Sequence, residues 1–144
     1  MTRAGLGERT GMTGRERREH PRIEVELPVD VTVLDVETGQ PLDPTERTTL
    51  ANISRGGLCA KVKLTQGEDA LEKVLTRKRL LHVRVHLEKG EGSAVGVCRV
   101  AWCEKLAGEK KAFLMGLAWS EISEENGELL ERFIRGRMGG RERG

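Results

Sequence analysis

Aromatic residues are scarce in this 144-residue sequence, which contains two tryptophans, two phenylalanines and no tyrosine. Proteins that bind single-stranded nucleic acid stack the bases on exposed aromatic side chains. The four aromatic residues here are predicted to be buried, so the composition does not favour that class of binder. The net charge of +2 is also too small for a protein that binds nucleic acid through bulk positive charge.

Long apolar runs are lacking as well. No stretch approaches the roughly 20 apolar residues that a membrane-spanning helix needs. The first 14 residues are polar and lack the apolar segment of a secretory signal. We therefore expect a cytoplasmic protein that does not insert directly into a membrane, and the length fits a single domain that can bury a core.

Cysteine is limited to Cys59, Cys98 and Cys103, with no C-x-x-C pair. Cys98 and Cys103 lie five residues apart on a predicted strand, so their side chains should point to opposite faces. We expect reduced thiols in packing positions rather than disulfides or a zinc site. A P-loop, a G-x-S-x-G sequence and a Cys/His nucleophile arrangement are all missing, so the chain is not expected to be an enzyme or to carry a metal or cofactor.

What the sequence does contain is alternation of apolar and polar residues. From residue 23 to residue 33 this period of two predicts a strand with one buried face. Five more strands are predicted at residues 47–53, 58–64, 81–87, 94–104 and 112–119, of which the segment 94–104 is apolar on both faces at its start.

Two segments change to helical spacing. Leu71, Val74 and Leu75 predict a short amphipathic helix within residues 68–78, which could be a partner surface or a plug for a barrel. Ser123 is the predicted N-cap of a helix at the C-terminus. The fold class predicted is mainly β: a six-stranded antiparallel β-barrel with a C-terminal α-helix and a short helical insert, because a closed barrel leaves no open strand edge.

The predicted domain occupies residues 18–136. A flexible basic tail is expected at residues 1–17 and a disordered tail at residues 137–144, because both segments are rich in glycine and charge.

Two short motifs stand at defined places in this pattern. The sequence R-x-x-x-R, from Arg18 to Arg22, directly precedes the first strand. The sequence N-x-S-x-x-G, from Asn52 to Gly57, occupies the turn between the second and third strands. Taken alone, the arginines also fit a solvated tail, and the second motif also fits a tight turn in which Asn and Ser cap backbone groups.

Together, in this order and on this strand pattern, the two motifs resemble the PilZ domain family, which comprises receptors for cyclic di-GMP. The resemblance covers about residues 15–136 and includes the Gly-Leu-Cys-Ala, Val-Ala-Trp and Met-Gly-Leu-Ala-Trp segments. It implies that cyclic di-GMP is the ligand and that no further cofactor is needed. It also implies a binding role for Arg17, Arg18, Arg22, Asn52, Ser54, Gly56 and Gly57.

The chemistry of these residues agrees with that ligand. The planar guanidinium of arginine pairs with phosphate through two hydrogen bonds and donates to O6 and N7 of guanine. Asn52 and Ser54 can supply hydrogen bonds to a base edge. Gly56 and Gly57 can adopt positive φ and let a ligand approach the backbone.

The resemblance implies a receptor that orders its N-terminal arginine tail on ligand binding and signals in trans to a protein partner, in control of motility, surface polysaccharide or biofilm formation. The alternative is a PilZ-like adaptor that works through protein contacts without nucleotide. Such members of the family usually lack the arginine motif, which this sequence retains.

Overall fold

The computed structural model describes residues 22–42, 45–65, 69–88 and 90–143. Alternating residues in this chain build six long strands, each with an inward apolar face. They are β1 (Arg22–Asp35), β2 (Glu46–Ser54), β3 (Gly57–Lys63), β4 (Arg79–His86), β5 (Ser93–Lys105) and β6 (Ala112–Ile122).

The strands pair in the order β1-β2-β3-β6-β5-β4, and β4 pairs with β1 to close the barrel. Every pairing is antiparallel. The predicted closed six-stranded antiparallel barrel is therefore confirmed, together with its two helices. Pro28 has no backbone N–H to donate. The ladder between β1 and β4 begins one residue later, at Val29, so Pro28 removes no hydrogen bond from that ladder.

The core fills the interior of the barrel with side chains from all six strands and both helices. The largest fully buried side chains are Leu50, Ile53, Leu81, Met115, Leu130, Val29, Val62, Val74, Val83, Val85 and Cys98. Close-packed apolar burial of this kind is the main favourable contribution to folding.

Two helices accompany the barrel. Helix α1 (Ala70–Leu75) buries Ala70 and Val74 in the barrel core, so it does plug the barrel. Helix α2 (Glu124–Arg143) begins after Ser123, whose hydroxyl oxygen accepts a hydrogen bond from the Asn126 backbone N–H at 3.1 Å, so the predicted N-cap is confirmed. Neither helix, within the part of the chain that the structure describes, could cross a membrane.

Helix α2 extends further than the sequence predicts. Residues 137–143 were expected to be a disordered tail, but they continue the helix. A tertiary contact supports this extension, because Arg137 forms an ion pair with Glu88; within the helix Arg137 also lies over the Phe133 ring, 5.5 Å from its centroid. Met138 also packs against the core. The other domain boundaries remain predictions, and the tail at residues 1–17 lies outside the described residues.

A bulge interrupts β5. Val100 pairs with Leu117 and Trp102 pairs with Gly116, so Ala101 is an extra residue. An extra residue moves the following side chains to the other face of a strand. The predictions that Trp102 is buried and that Cys98 and Cys103 point to opposite faces are therefore wrong: Trp102 is exposed, and both cysteines contact the core.

Candidate ligand-binding site

The two sequence motifs meet at one end of the β1–β2 pair. Arg22, the first residue of β1, lies opposite Ser54, the last residue of β2. Glu24 lies opposite Asn52 two positions further along. The intervening Ile23 and Ile53 are buried, whereas Arg22 is exposed and Asn52 and Ser54 are half-buried, so the three polar side chains share the outer face.

Asn52 reaches this face through a second irregularity. Strict alternation from the buried Leu50 would point Asn52 into the barrel, but the register between β2 and β3 shifts between these two residues. As a result Leu50 and Ile53 are both fully buried, although they lie an odd number of residues apart. The bulge thus keeps the Asn52 amide at the surface, where its polar atoms can contact a ligand.

Ser54 organises the turn that follows. Its hydroxyl oxygen accepts a hydrogen bond from the Gly56 backbone N–H at 3.1 Å. The Gly56 carbonyl in turn accepts a hydrogen bond from the Trp119 N–H of β6, also at 3.1 Å. The turn-capping interpretation of this serine is therefore confirmed, and the hydroxyl proton of Ser54 is still available for donation to another group.

Gly57 is needed for close packing rather than for an unusual φ. Neither Gly56 nor Gly57 has a positive φ, contrary to the sequence-based expectation. A Cβ on Gly57 would lie 3.1 Å from Cα of Ala118 and closer still to the Leu117 carbonyl. Glycine therefore allows β3 and β6 to approach each other at the start of their ladder.

These residues line a shallow pocket of about 190 Å³. Its lining consists of Arg22, Asn52, Ser54, Gly56, Gly57, Leu58, Cys59, Ala101, Trp102, Gly116 and Leu117. The pocket is smaller than the roughly 300–1,000 Å³ typical of small-molecule clefts. A ligand larger than a single ring system would extend across the barrel surface.

Trp102 forms one wall of the pocket. Its side chain is 46% exposed, a large fraction for tryptophan, and it lies over Gly116 on the neighbouring strand β6. A Cβ on Gly116 would come within 2.6 Å of the indole Cδ1, so only glycine leaves room for the ring in this position. The indole therefore offers a flat surface on which a base can stack.

One positive charge lies in the lining of the pocket, and two carboxylates stand outside that lining: Glu24 opposite Asn52, and Glu104, whose charge acts on Cys59. Arg22 is the only charged residue in its described lining, and no carboxylate is present there. Burial raises the pKa of the Cys59 thiol, an effect that the nearby Arg22 charge partly opposes. The thiol therefore stays protonated at neutral pH and is a packing group rather than a nucleophile.

The structure thus places five of the seven predicted site residues around one pocket: Arg22, Asn52, Ser54, Gly56 and Gly57. Arg17 and Arg18 lie outside the described residues. Trp102 and Gly116 were missed, because strict alternation puts Trp102 inside the barrel. The sequence signal that could have identified Trp102 and Gly116 is the pair of family-like segments that contain them, Val-Ala-Trp and Met-Gly-Leu.

Comparison with known proteins gives one family match. The PilZ domain model matches residues 16–136, which is most of the chain. Comparison with curated proteins yields no significant match.

Three solved structures with the same fold are similar to the chain at low sequence identity. The PilZ domain of Escherichia coli YcgR with cyclic di-GMP has a TM-score of 0.55 and 15% identity, over 88% of this chain and 96% of that one. The Bacillus subtilis inhibitor of motility MotI/DgrA has a TM-score of 0.58 and 21% identity, over 85% of this chain and 52% of that one. The K. pneumonia MrkH–cyclic di-GMP complex has a TM-score of 0.59 and 15% identity, over 88% of this chain and 54% of that one.

The chain spans about half the length of MotI/DgrA and MrkH, and nearly all of the isolated YcgR domain. At these identities the likeness concerns the fold. The family match over residues 16–136, together with the closed barrel and the motifs that line its surface pocket, leads to one conclusion: the chain belongs to the PilZ domain family.

Proposed function

We propose that this protein is a receptor for cyclic di-GMP and not an enzyme. The observation that carries the proposal is the register of β1 against β2, which places Arg22 beside Asn52 and Ser54 on one outer face, at a pocket whose one charged residue in the described lining is Arg22. Two of the similar solved structures, the YcgR domain and MrkH, contain cyclic di-GMP.

Each residue of the pocket has a chemical task in this proposal. Arg22 pairs with a phosphate or with O6 and N7 of a guanine. Asn52 and Ser54 form hydrogen bonds to a base edge, and the indole of Trp102 stacks on the base. Gly56 and Gly57 keep the turn free of side chains that would block the ligand.

The shallow pocket needs a cover, and we assign that role to the segment that contains Arg17 and Arg18. A cyclic dinucleotide on an open surface leaves part of its phosphate charge in water. Two arginines just upstream of Arg22 can reach that charge and form bidentate pairs with it. Ligand binding would then order the N-terminal segment against the barrel.

The consequence of this ordering is a changed surface for a protein partner, with the signal delivered in trans in the cytoplasm. Control of motility, polysaccharide or biofilm formation is the proposed output, in keeping with MotI/DgrA, which is an inhibitor of motility. The alternative is a nucleotide-independent adaptor, and the arginine motif argues against it because a pure protein-contact surface does not require that spacing.

Calorimetric titration of cyclic di-GMP into the protein tests the proposal. We expect saturable binding that is lost in Arg18→Ala/Arg22→Ala and retained in Arg84→Ala/Arg132→Ala, which removes the same charge from exposed positions on β4 and α2. Absence of binding by the unaltered protein would refute the receptor proposal and support the adaptor alternative. Equal loss in both double variants would show that binding depends on overall charge rather than on this site.

A further inference from the structure

A second pocket lies at the other end of β1, thirteen residues from Arg22, which corresponds to about 40 Å along an extended strand. Its volume is about 530 Å³. The connection between β1 and β2 forms one side, and the segment from α1 to the start of β4 forms the other. The lining residues are Asp35, Val36, Glu37, Leu42, Lys73, Arg77, Lys78 and Arg79.

Backbone hydrogen bonds hold the two sides of this pocket together. The Val36 N–H donates to the Lys78 carbonyl at 3.2 Å, and the Leu42 N–H donates to the Val33 carbonyl at 2.8 Å. Arg77 has a φ of +66°, an uncommon conformation for a residue with a side chain. The pocket is therefore a built feature of the fold rather than a gap between loose loops.

The charges of the pocket are unbalanced. Four of its eight residues are cations, and only Lys73 has a carboxylate partner within the described chain, Asp69 at 3.3 Å. The Asp35 carboxylate accepts hydrogen bonds locally, from the Glu37 N–H at 3.2 Å and from the Thr38 hydroxyl at 3.3 Å. Arg77 and Lys78 thus have no carboxylate partner among the described residues, whereas the charge of Arg79 helps to lower the pKa of the Asp69 carboxyl.

Among these cations, Arg79 has an incompletely hydrogen-bonded guanidinium in the described chain. Its Nη1 atom is shielded from solvent and has no hydrogen-bond acceptor within the described residues. A buried donor without an acceptor is unfavourable, and more so when it belongs to a charged group.

Apolar side chains accompany the charges. Val36 and Leu42 line the pocket and are 49% and 38% exposed. Leu75, at the end of α1 and two residues after Lys73, is 45% exposed. These three are all of the large exposed apolar residues in the described chain except Trp102 at the ligand-binding pocket.

We propose that this pocket docks an acidic segment of a partner protein that carries an apolar side chain among its carboxylates. Carboxylates would pair with Arg77, Lys78 and Arg79, and the apolar side chain would cover Val36 and Leu42. Such a site lies apart from the nucleotide pocket and works whether or not nucleotide is bound.

Other occupants fit the pocket less well. A nucleic acid or an anionic membrane surface presents closely spaced phosphates, which would leave the exposed Val36 and Leu42 without an apolar partner and would lie against Asp35 and Glu37. The N-terminal 21 residues of the chain itself contain five arginines and three glutamates, so they carry the same sign of charge as the pocket. A protein segment can space its carboxylates so that they contact the cations of the pocket and stay away from Asp35 and Glu37.

The test uses a fluorescein-labelled 12-residue peptide of glutamates with leucine at every fourth position, and its counterpart with lysine in place of glutamate. We expect fluorescence anisotropy to detect binding of the acidic peptide only. The charge reversal Arg77→Glu/Lys78→Glu should weaken that binding about tenfold or more, whereas the equal reversal Arg84→Glu/Arg132→Glu should change it less than about twofold. Amide chemical-shift changes should cluster at residues 35–42 and 73–79.

Three results would overturn the proposal. They are no binding of the acidic peptide, equal loss in both charge-reversal variants, and binding to phosphatidylglycerol vesicles in place of the peptide. Cyclic di-GMP titration of Arg77→Glu/Lys78→Glu serves as the folding control, because its nucleotide pocket is untouched. A neutral substitution, Val36→Ser, should weaken peptide binding without changing charge, which separates apolar docking from general attraction.

Discussion

At the scale of single residues, Trp102 stands out because a large apolar side chain is left nearly half exposed at the edge of a pocket. Nearly half of the Trp102 side chain stays exposed on folding, and Gly116 is needed to leave room for the ring. We expect Trp102→Ala to weaken cyclic di-GMP binding by about 1–3 kcal/mol, the worth of one base–aromatic stack. The free energy of unfolding should fall by about 1–2 kcal/mol, because the covered half of the ring loses its contact with β6. Titration calorimetry and urea denaturation measure the two quantities.

Two companion variants sharpen this prediction. Trp102→Phe keeps an aromatic face and should retain part of the affinity. Leu75→Ala removes an equally exposed apolar side chain far from the pocket and should leave nucleotide affinity unchanged. Unaltered affinity in Trp102→Ala would remove this residue from the site.

Two glycines in different surroundings should respond with opposite signs to the same change. Gly57→Ala brings a methyl group against the Leu117 carbonyl and Ala118, so β3 and β6 must separate. We expect this variant to lose about 1–3 kcal/mol of stability, as overpacked positions do. Gly136→Ala, on an exposed face of α2 with nothing within 4 Å, should gain up to about 1 kcal/mol. Equal stability of the two variants by urea denaturation would contradict the close-approach argument.

At the scale of elements, one carboxylate ties three strands together on the outside of the barrel. Asp30 of β1 forms an ion pair with Arg47 of β2, and its other oxygen lies 2.8 Å from Nε2 of His86 in β4. Hydrogen bonds from Arg47 first, and from His86 second, lower the pKa of Asp30 from 3.8 to about 2. The sequence alone does not reveal this contact of His86, because nothing in the chain order shows that β1 lies between β2 and β4.

This lowered pKa gives a pH dependence with a definite sign. The folded state holds the Asp30 proton less tightly than the unfolded state, so the stabilisation is present above pH 4 and is lost as the pH falls towards 2. Because the site is partly open to solvent, we expect the ionised Asp30 to contribute about 1 kcal/mol to the free energy of unfolding. Asp30→Asn should be less stable than the unaltered protein by that amount at pH 7, and the difference should vanish near pH 2.

Glu26→Gln is the matched control for this experiment. Glu26 lies on the same outer face of β1 but is exposed and has no ion pair among the described residues. Its substitution should leave the pH dependence of unfolding unchanged. A stability difference for Asp30→Asn that persists undiminished at pH 2 would show that shape, not charge, is what Asp30 contributes.

At the scale of the whole molecule, ligand binding should stabilise the folded barrel by mass action. A ligand that binds only the folded state adds about 2.7 kcal/mol at a concentration one hundred times Kd. For a domain of this size, this raises the melting temperature by about 5–10 °C. Calorimetric melting with and without cyclic di-GMP measures the shift, and Arg18→Ala/Arg22→Ala should show none.

The same experiment can follow the N-terminal segment. If ligand binding orders residues 1–21, trypsin cleavage at Arg15, Arg17 and Arg18 should slow when cyclic di-GMP is present. Cleavage after the exposed Arg77 should be unaffected, so it serves as an internal reference. Equal cleavage with and without a saturating ligand would mean that the nucleotide binds without ordering this segment.

Much of the molecule follows from local patterns. Apolar patterning and the turn residues between segments predicted all six strands, and the ends differ from the observed ones by only a few residues, because these signals act within each segment. Helix α1 and the Ser123 cap followed from spacing and from one side chain in the same way. The second motif was correctly placed at the turn between β2 and β3, since its glycines and its serine act within a few residues.

The parts that could not be predicted depend on strands that are distant in sequence. Bulges at Ala101 and between Leu50 and Asn52 reverse which residues face outward, and a bulge is defined only by the partner strand. The extension of α2 to Arg143 likewise depends on Glu88, which lies about fifty residues earlier in the chain.

The sequence by itself determined that this chain forms a six-stranded barrel with two helices, and that two polar motifs border its first two strands. These features need only alternation, capping and turn chemistry, which act over a few residues. Only the tertiary structure decided that Asn52 and Trp102 face the same pocket as Arg22, and that four basic residues line a second pocket at the opposite end of β1. The physical reason is that register between strands, which is set when the barrel closes, selects the face on which each side chain lies.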